Sequence, residues 1–215
     1  MNPSIASREN LETNLFFKIL LVSLLAAFSQ MAIAESAVLA KQPVEKLNAA
    51  LIDVMKNAGR LGYQGRYKKL EPVVKEVFQF EAIAQIALGA HWKKLDQSQK
   101  QTFIAKLTEL SIATYAAQFN AYDGEAFHYD STEDTKPDRA IVRYTMFGSN
   151  GRPIKFEYIV SRPADKWQIV NIVVDGISDL ALKKAQYTSV IDREGFDSLL
   201  AKLTEKVSDY VRKSK

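Results

Sequence analysis

The stretch Arg139–Ser178, RAIVRYTMFGSNGRPIKFEYIVSRPADKWQIVNIVVDGIS, constrains this chain more than any other. Ile154, Phe156, Tyr158 and Val160 fall on one side of a two-residue repeat, opposite Lys155 and Glu157. Val142, Tyr144 and Met146 stand opposite Arg143 and Thr145 in the same way. Gly148-Ser149-Asn150-Gly151 and Arg162-Pro163-Ala164-Asp165 supply turn chemistry between the alternating runs. The stretch therefore reads as three consecutive strands. Trp167 to Val174 is apolar almost throughout, which predicts a central strand covered on both faces. Phe127 and Tyr129, two apart, predict a further strand ahead of a polar hairpin loop at residues 133–138. Helical patterns flank the stretch on both sides. The fold class that follows is α+β, a curved antiparallel sheet packed by its apolar face against several helices.

The helical patterns are specific enough to place. Val44, Leu47, Leu51, Val54, Met55 and Ala58 form one stripe, with Gly59 and Gly62 beyond its end. Residues 67–78 form a second pattern, interrupted at Pro72, where a helix is expected to restart because proline is best tolerated in a first turn. Phe80, Ile83, Ala84, Ala87 and Leu88 lead to Gly89, a C-terminal stop. Asp96 with Gln99 three residues on predicts a capping box. The helix behind it carries Phe103, Leu107, Leu110, Thr114 and Ala117 on one face, with Ile104 and Tyr115 at its shoulder. Ser178 reads as the N-cap of a helix ending at Gly195. A last amphipathic helix follows, with Phe196, Leu199, Leu200, Leu203, Val207 and Tyr210 on its stripe.

Residues 1–34 read as a signal peptide and residues 35–215 as one domain. Lys18 precedes the apolar run Ile19–Phe28, and Ala32-Ile33-Ala34 fits cleavage before Glu35. The run is shorter than the roughly 20 residues that span a bilayer. Export to the periplasm is the expectation. The excess of four positive charges in 215 residues is mild. No run of five or more like charges occurs, so nucleic acid is not indicated. The chain has no cysteine, which excludes disulfides and thiol chemistry.

Catalytic motifs are scarce. There is no nucleophile elbow, phosphate-binding loop or dinucleotide fingerprint, and so no catalytic residue, metal or cofactor is assigned. Of the two histidines, His91 beside Trp92 reads as structural, and neither has a helical partner four residues away. Asp175 before Gly176 has two readings. It is either the end-of-strand turn that Asp-Gly chemistry favours, or a carboxyl in an apolar cavity whose raised pKa would make it a base in a cone-shaped enzyme. The aromatic positions on the sheet face and on the Phe103 helix also have two readings, packed core or the walls of a ligand cavity.

Residues 80–84 (FEAIA), Leu88-Gly89-Ala90-His91-Trp92, Leu95-Asp96, Gln99-Lys100 and Phe103 resemble, in this order, the signature of the MlaC/toluene-tolerance family. Tyr115, Asn150-Gly151-Arg152-Pro153, Lys166-Trp167-Gln168-Ile169, Asp175-Gly176-Ile177-Ser178 and residues 195–200 (GFDSLL) extend the resemblance over nearly all of the chain after the leader. It implies a periplasmic carrier, not an enzyme. Such carriers shuttle phospholipid between an outer-membrane lipoprotein complex and an inner-membrane ABC transporter complex with an MCE-domain protein. It also implies a hydrophobic cavity between sheet and helices. Combined with the alternation, that cavity would be lined by Phe103, Leu107, Leu110, Tyr115 and Phe119 from the helix. The strands would add Tyr144, Met146, Ile154, Phe156, Tyr158 and Val160, with Ile177 beyond them. Ser178–Lys184 and Tyr187–Val190 are similar to the hopanoid-associated HpnM branch, which admits a hopanoid-like cargo. Lys183 and Lys184 are either a docking surface or solvated charges. A purely structural envelope protein, with the apolar faces packed solid, is the third reading.

Overall fold

The computed structural model describes residues 37–136, 138–148 and 151–213, so the leader run and its cleavage pattern lie outside the described residues. The chain divides into Met1–Leu39 and a compact unit, Ala40–Lys215. Helix α1, residues 37–56, buries Val44, Leu47, Leu51 and Val54 along the expected stripe. Helix α2 (Ala58–Val77) corrects the sequence reading. It runs straight through Pro72, and its interruption falls instead at Gly62, with φ 57° and ψ −174°. Only a residue without a Cβ takes that conformation cheaply. Pro72 and Lys68, the residue whose carbonyl loses its donor, are both exposed.

Helix α3 (Phe80–Leu88) stops where expected, at Gly89 with φ 54°, and a 3-10 turn, Gly89–Lys94, leads on. Helix α4 (Gln97–Gln118) opens on the full capping box. The Gln99 amide donates to Asp96 Oδ1 at 2.8 Å and the Asp96 amide donates to Gln99 Oε1 at 3.0 Å. Asp96→Ala is expected to lower stability by about 1 kcal/mol. The check is a lower urea midpoint with an unchanged slope.

The buried face of α4 is wider than its stripe suggested. Ile112, Ala113 and Ala116 are buried, while Thr114 and Ala117 are only half-buried. The reason is that α4 is flanked by both α2 and α6. Buried Arg66 fastens α2 to the end of α4, donating from Nε to the Ala116 carbonyl at 2.8 Å. That carbonyl is among those an α-helix leaves unpaired at its C-terminus.

The sheet is a five-stranded antiparallel meander in the order β1-β2-β3-β4-β5. Its strands are β1 (Ala126–Lys136), β2 (Arg139–Phe147), β3 (Ile154–Ser161), β4 (Gln168–Val174) and β5 (Ile177–Ser178). Irregular register in β1, and between β3 and β4 at Ile159/Val160, bends the sheet. Residues 133–136, expected in a loop, belong to β1. An edge strand tolerates their charges, and Arg143 draws Glu133 into the ladder at 2.8 Å while bonding Glu157 at 2.9 Å. Strand β4 is not central. It has only two-residue β5 outside it, and its cover comes from α3 and α5, with a parallel bridge from Phe78 to Ile169.

Ser178 caps helix α5 (Asp179–Glu194), its Oγ accepting from the Ala181 amide at 3.1 Å, and Gly195 with φ 89° ends it. Helix α6 (Phe196–Lys213) buries Leu199 and Leu203. Among the described residues no helix is long and apolar enough to cross a membrane.

Candidate functional site

Register alone brings six of the expected positions together. Met146 pairs with Ile154, Tyr144 with Phe156, and Ala140 with Val160, while Val142 faces Tyr158. Their rings meet both along β3 and across the strands. The Phe156 and Tyr158 rings stack at 5.9 Å between centroids, and Tyr144 meets Tyr158 edge-on at 6.1 Å. Phe127 and Tyr129 on β1 extend this ring face, reaching Phe156 at 5.5 Å and Tyr144 at 5.6 Å.

These positions divide by accessibility. Tyr144, Tyr158 and Val160 are packed, whereas Met146, Ile154 and Phe156 at the other end of the face are half-buried. The Tyr158 hydroxyl donates to Asn48 Oδ1 on α1 at 2.8 Å. Burial pushes that hydroxyl's pKa up, the Asn48 bond opposes the shift, and Tyr144 adds to it. Asn48 is itself buried, and its Nδ2 has no partner among the described residues. The sequence reading missed it. The signal was a polar residue four after Val44 and three before Leu51, on the apolar stripe.

The helix positions are less united. Phe103 is fully buried but meets Tyr187 edge-on at 5.9 Å and Phe196 at 6.3 Å, so it faces α5 and α6. Leu107 and Leu110 are buried in the same core. Tyr115 and Phe119 differ. Their rings lie 5.9 Å apart, and Tyr115 meets Phe78 at 6.0 Å. Burial holds the Tyr115 hydroxyl well above its ordinary pKa, with Tyr158 and the Asp179 carboxylate adding to the shift. Its residue surface nevertheless stays partly accessible. Ile177 is not brought into the group. It is 61% exposed on β5.

Asp175 takes the turn reading. It is exposed, and both it (φ 48°) and Gly176 (φ 83°) are left-handed, as a two-residue hairpin requires. Its Oδ1 accepts from the Lys155 amide at 2.9 Å, and its own amide donates to the Lys155 carbonyl at 2.9 Å. His91 Nε2 lies 3.1 Å from Asp192 Oδ1 and ties the 3-10 turn to α5. Among the described residues no three His, Cys, Asp or Glu side chains are placed to hold a metal ion.

A concavity of about 910 Å³ opens outside this ring face. Its floor is Tyr67, Phe78, Phe80, Ile104 and Ile112, and its rim carries Glu71, Lys75, Glu81, Glu109 and Lys166. None of the sequence-assigned positions lines it. Its residues come from α2, α3, α4 and the β3–β4 turn, so no single periodic pattern announces it.

The family model described as MlaC protein matches residues 45–205 of this chain. The chain belongs to the MlaC family. The match spans most of α1 through most of α6, with every strand between. The intermembrane phospholipid transport system binding protein MlaC of Haemophilus influenzae is 23% identical over 201 residues, 88% of this chain and 92% of that protein. The toluene tolerance protein ttg2D of Pseudomonas putida is 23% identical over 132 residues, 61% of each chain. A phospholipid-binding protein from Ralstonia solanacearum, solved in complex with a phospholipid, has the same α+β fold. Its TM-score is 0.69 at 22% identity, covering 81% of this chain and 98% of that one.

Proposed function

We propose that this MlaC-family chain is a non-enzymatic periplasmic carrier of phospholipid, with residues 1–34 a leader and residues 35–215 the lipid-binding domain. The observation that carries the reading is the family match, which spans the helices and strands around the half-buried rings. The acyl chains would occupy the space beside Tyr115, Phe119, Met146, Ile154 and Phe156, between sheet and helices. The packed Tyr144, Tyr158 and Val160 would close its inner end, and the Asn48 amide would stand behind them. Two acyl chains of about 15 carbons bury roughly 20 kcal/mol or more against water at about 0.8 kcal/mol per CH₂, near the ceiling for non-covalent binding. Release into water would therefore be very slow. Loading and unloading belong in docked complexes, of which an inner-membrane ABC transporter with an MCE-domain protein and an outer-membrane lipoprotein complex are the expected partners.

Native mass spectrometry of the purified mature protein, followed by lipid extraction, tests the reading. The expected result is a mass excess equal to one phospholipid. A hopanoid-sized adduct would reassign the cargo. A bare polypeptide mass that persists after incubation with liposomes would overturn the carrier reading.

A further inference from the structure

The open groove and the half-buried rings share a wall, and that wall is Phe78. On one side Phe78 lines the groove; on the other its ring meets Tyr115 at 6.0 Å. Phe78 is also the stopper between the two, 8% exposed and with its backbone tied to β4 by the bridge to Ile169. Phe78 follows the last residue of α2 in extended backbone, φ −101° and ψ 141°, and only Gln79 separates it from α3.

The groove is ordered like an amphiphile, apolar below and charged above. Its volume of about 910 Å³ lies within the range of small-molecule sites. The rim charges are partly committed. Lys75 is held by Glu71 at 2.7 Å, and Glu109 by Lys106 at 2.9 Å. Among the described residues the side chains of Glu81 and Lys166 make no ion pair. One carboxylate and one ammonium over an apolar floor complement a zwitterion. Lys166 would face its phosphate and Glu81 its ammonium.

We propose that this groove is the portal of the carrier, where a zwitterionic phospholipid rests its headgroup while its chains pass Phe78 toward Tyr115. The proposal rests on the carrier reading above and adds a route and a headgroup class to it.

Uptake of a fluorescent phospholipid from phosphatidylcholine vesicles and from phosphatidylglycerol vesicles tests it, on the mature chain. Ala105 is an exposed wall residue of the groove, so Ala105→Trp fills the passage with little demand on the core. Uptake is expected to slow about tenfold or more, as ~1.4 kcal/mol on a barrier gives, with the final occupancy by native mass spectrometry unchanged. Phe78→Leu is expected to act in the opposite sense and speed uptake. Glu81→Lys is expected to erode the preference for phosphatidylcholine over phosphatidylglycerol. Wild-type rates in both Ala105→Trp and Phe78→Leu, with normal occupancy, would overturn the portal and leave the carrier reading intact. Wild-type protein that takes up neither lipid would bring down both.

Discussion

Phe103→Ala is expected to destabilise the folded chain by about 3–5 kcal/mol, the usual cost of deleting a fully buried phenylalanine. The ring is wholly enclosed, and Tyr187 and Phe196 close on it from α5 and α6. Neither neighbour can fill the void without leaving its own packing, so little relaxation is available. Urea unfolding of the lipid-free protein checks this. A loss below about 1 kcal/mol would mean that the ring already borders empty space. Lipid occupancy per folded molecule is expected to stay at the wild-type level, because Phe103 belongs to the helical core and not to the ring face. The same measurement on Tyr115→Ala is expected to give the reverse pattern, a smaller stability loss and a larger loss of lipid.

Alkaline solution is expected to unfold the protein cooperatively. Burial holds the Tyr158 and Tyr187 hydroxyls above their ordinary pKa of 10.0, the Asp179 carboxylate adding to the shift at Tyr187. Above pH 10 the unfolded chain sheds these protons while the folded chain keeps them. Stability is therefore insensitive to these groups below about pH 10 and falls as the pH climbs toward their folded values. Each group contributes a slope of about 1.4 kcal/mol per pH unit, so the pair removes roughly 3 kcal/mol per unit. A typical stability of about 5–15 kcal/mol is used up within a few units. Tyrosinate absorbance and far-ultraviolet circular dichroism should change together. Ionisation of these tyrosines near pH 10 with the dichroism intact would contradict the burial. Tyr158→Phe is expected to flatten the alkaline slope, while costing about 1–3 kcal/mol at neutral pH by leaving the Asn48 amide without its remaining bond.

What could be read in the chain beforehand was what local chemistry decides. Asp96 and Gln99 cap each other within one turn, Ser178 and Gly195 bound one helix, and the alternation in β2 and β3 fixes a face. Where the reading failed, tertiary context had outvoted a local rule. Pro72 looked like a break, but the exposed side of α2 tolerates it, and Gly62 took the bend. The acidic end of β1 looked like a loop, but Arg143 on the next strand recruits it. The site was legible as a set of rings and not as a shape. Whether an aromatic residue is sealed, like Phe103, or left partly accessible, like Tyr115, depends on partners far along the chain. Asn48 was marked only as a polar residue standing on an apolar stripe, and nothing local in the chain gives Phe78 its place between two elements.

The edge strand β1 has a further consequence. An eleven-residue strand with no partner on its outer side among the described residues is enough to recruit a second sheet, the route by which soluble proteins become fibres. Here Asp130, Glu133, Asp134 and Lys136 stud that margin, and two breaks in register keep it from lying flat. Such a margin lets many copies crowd together, each with a greasy interior, without zipping into one another.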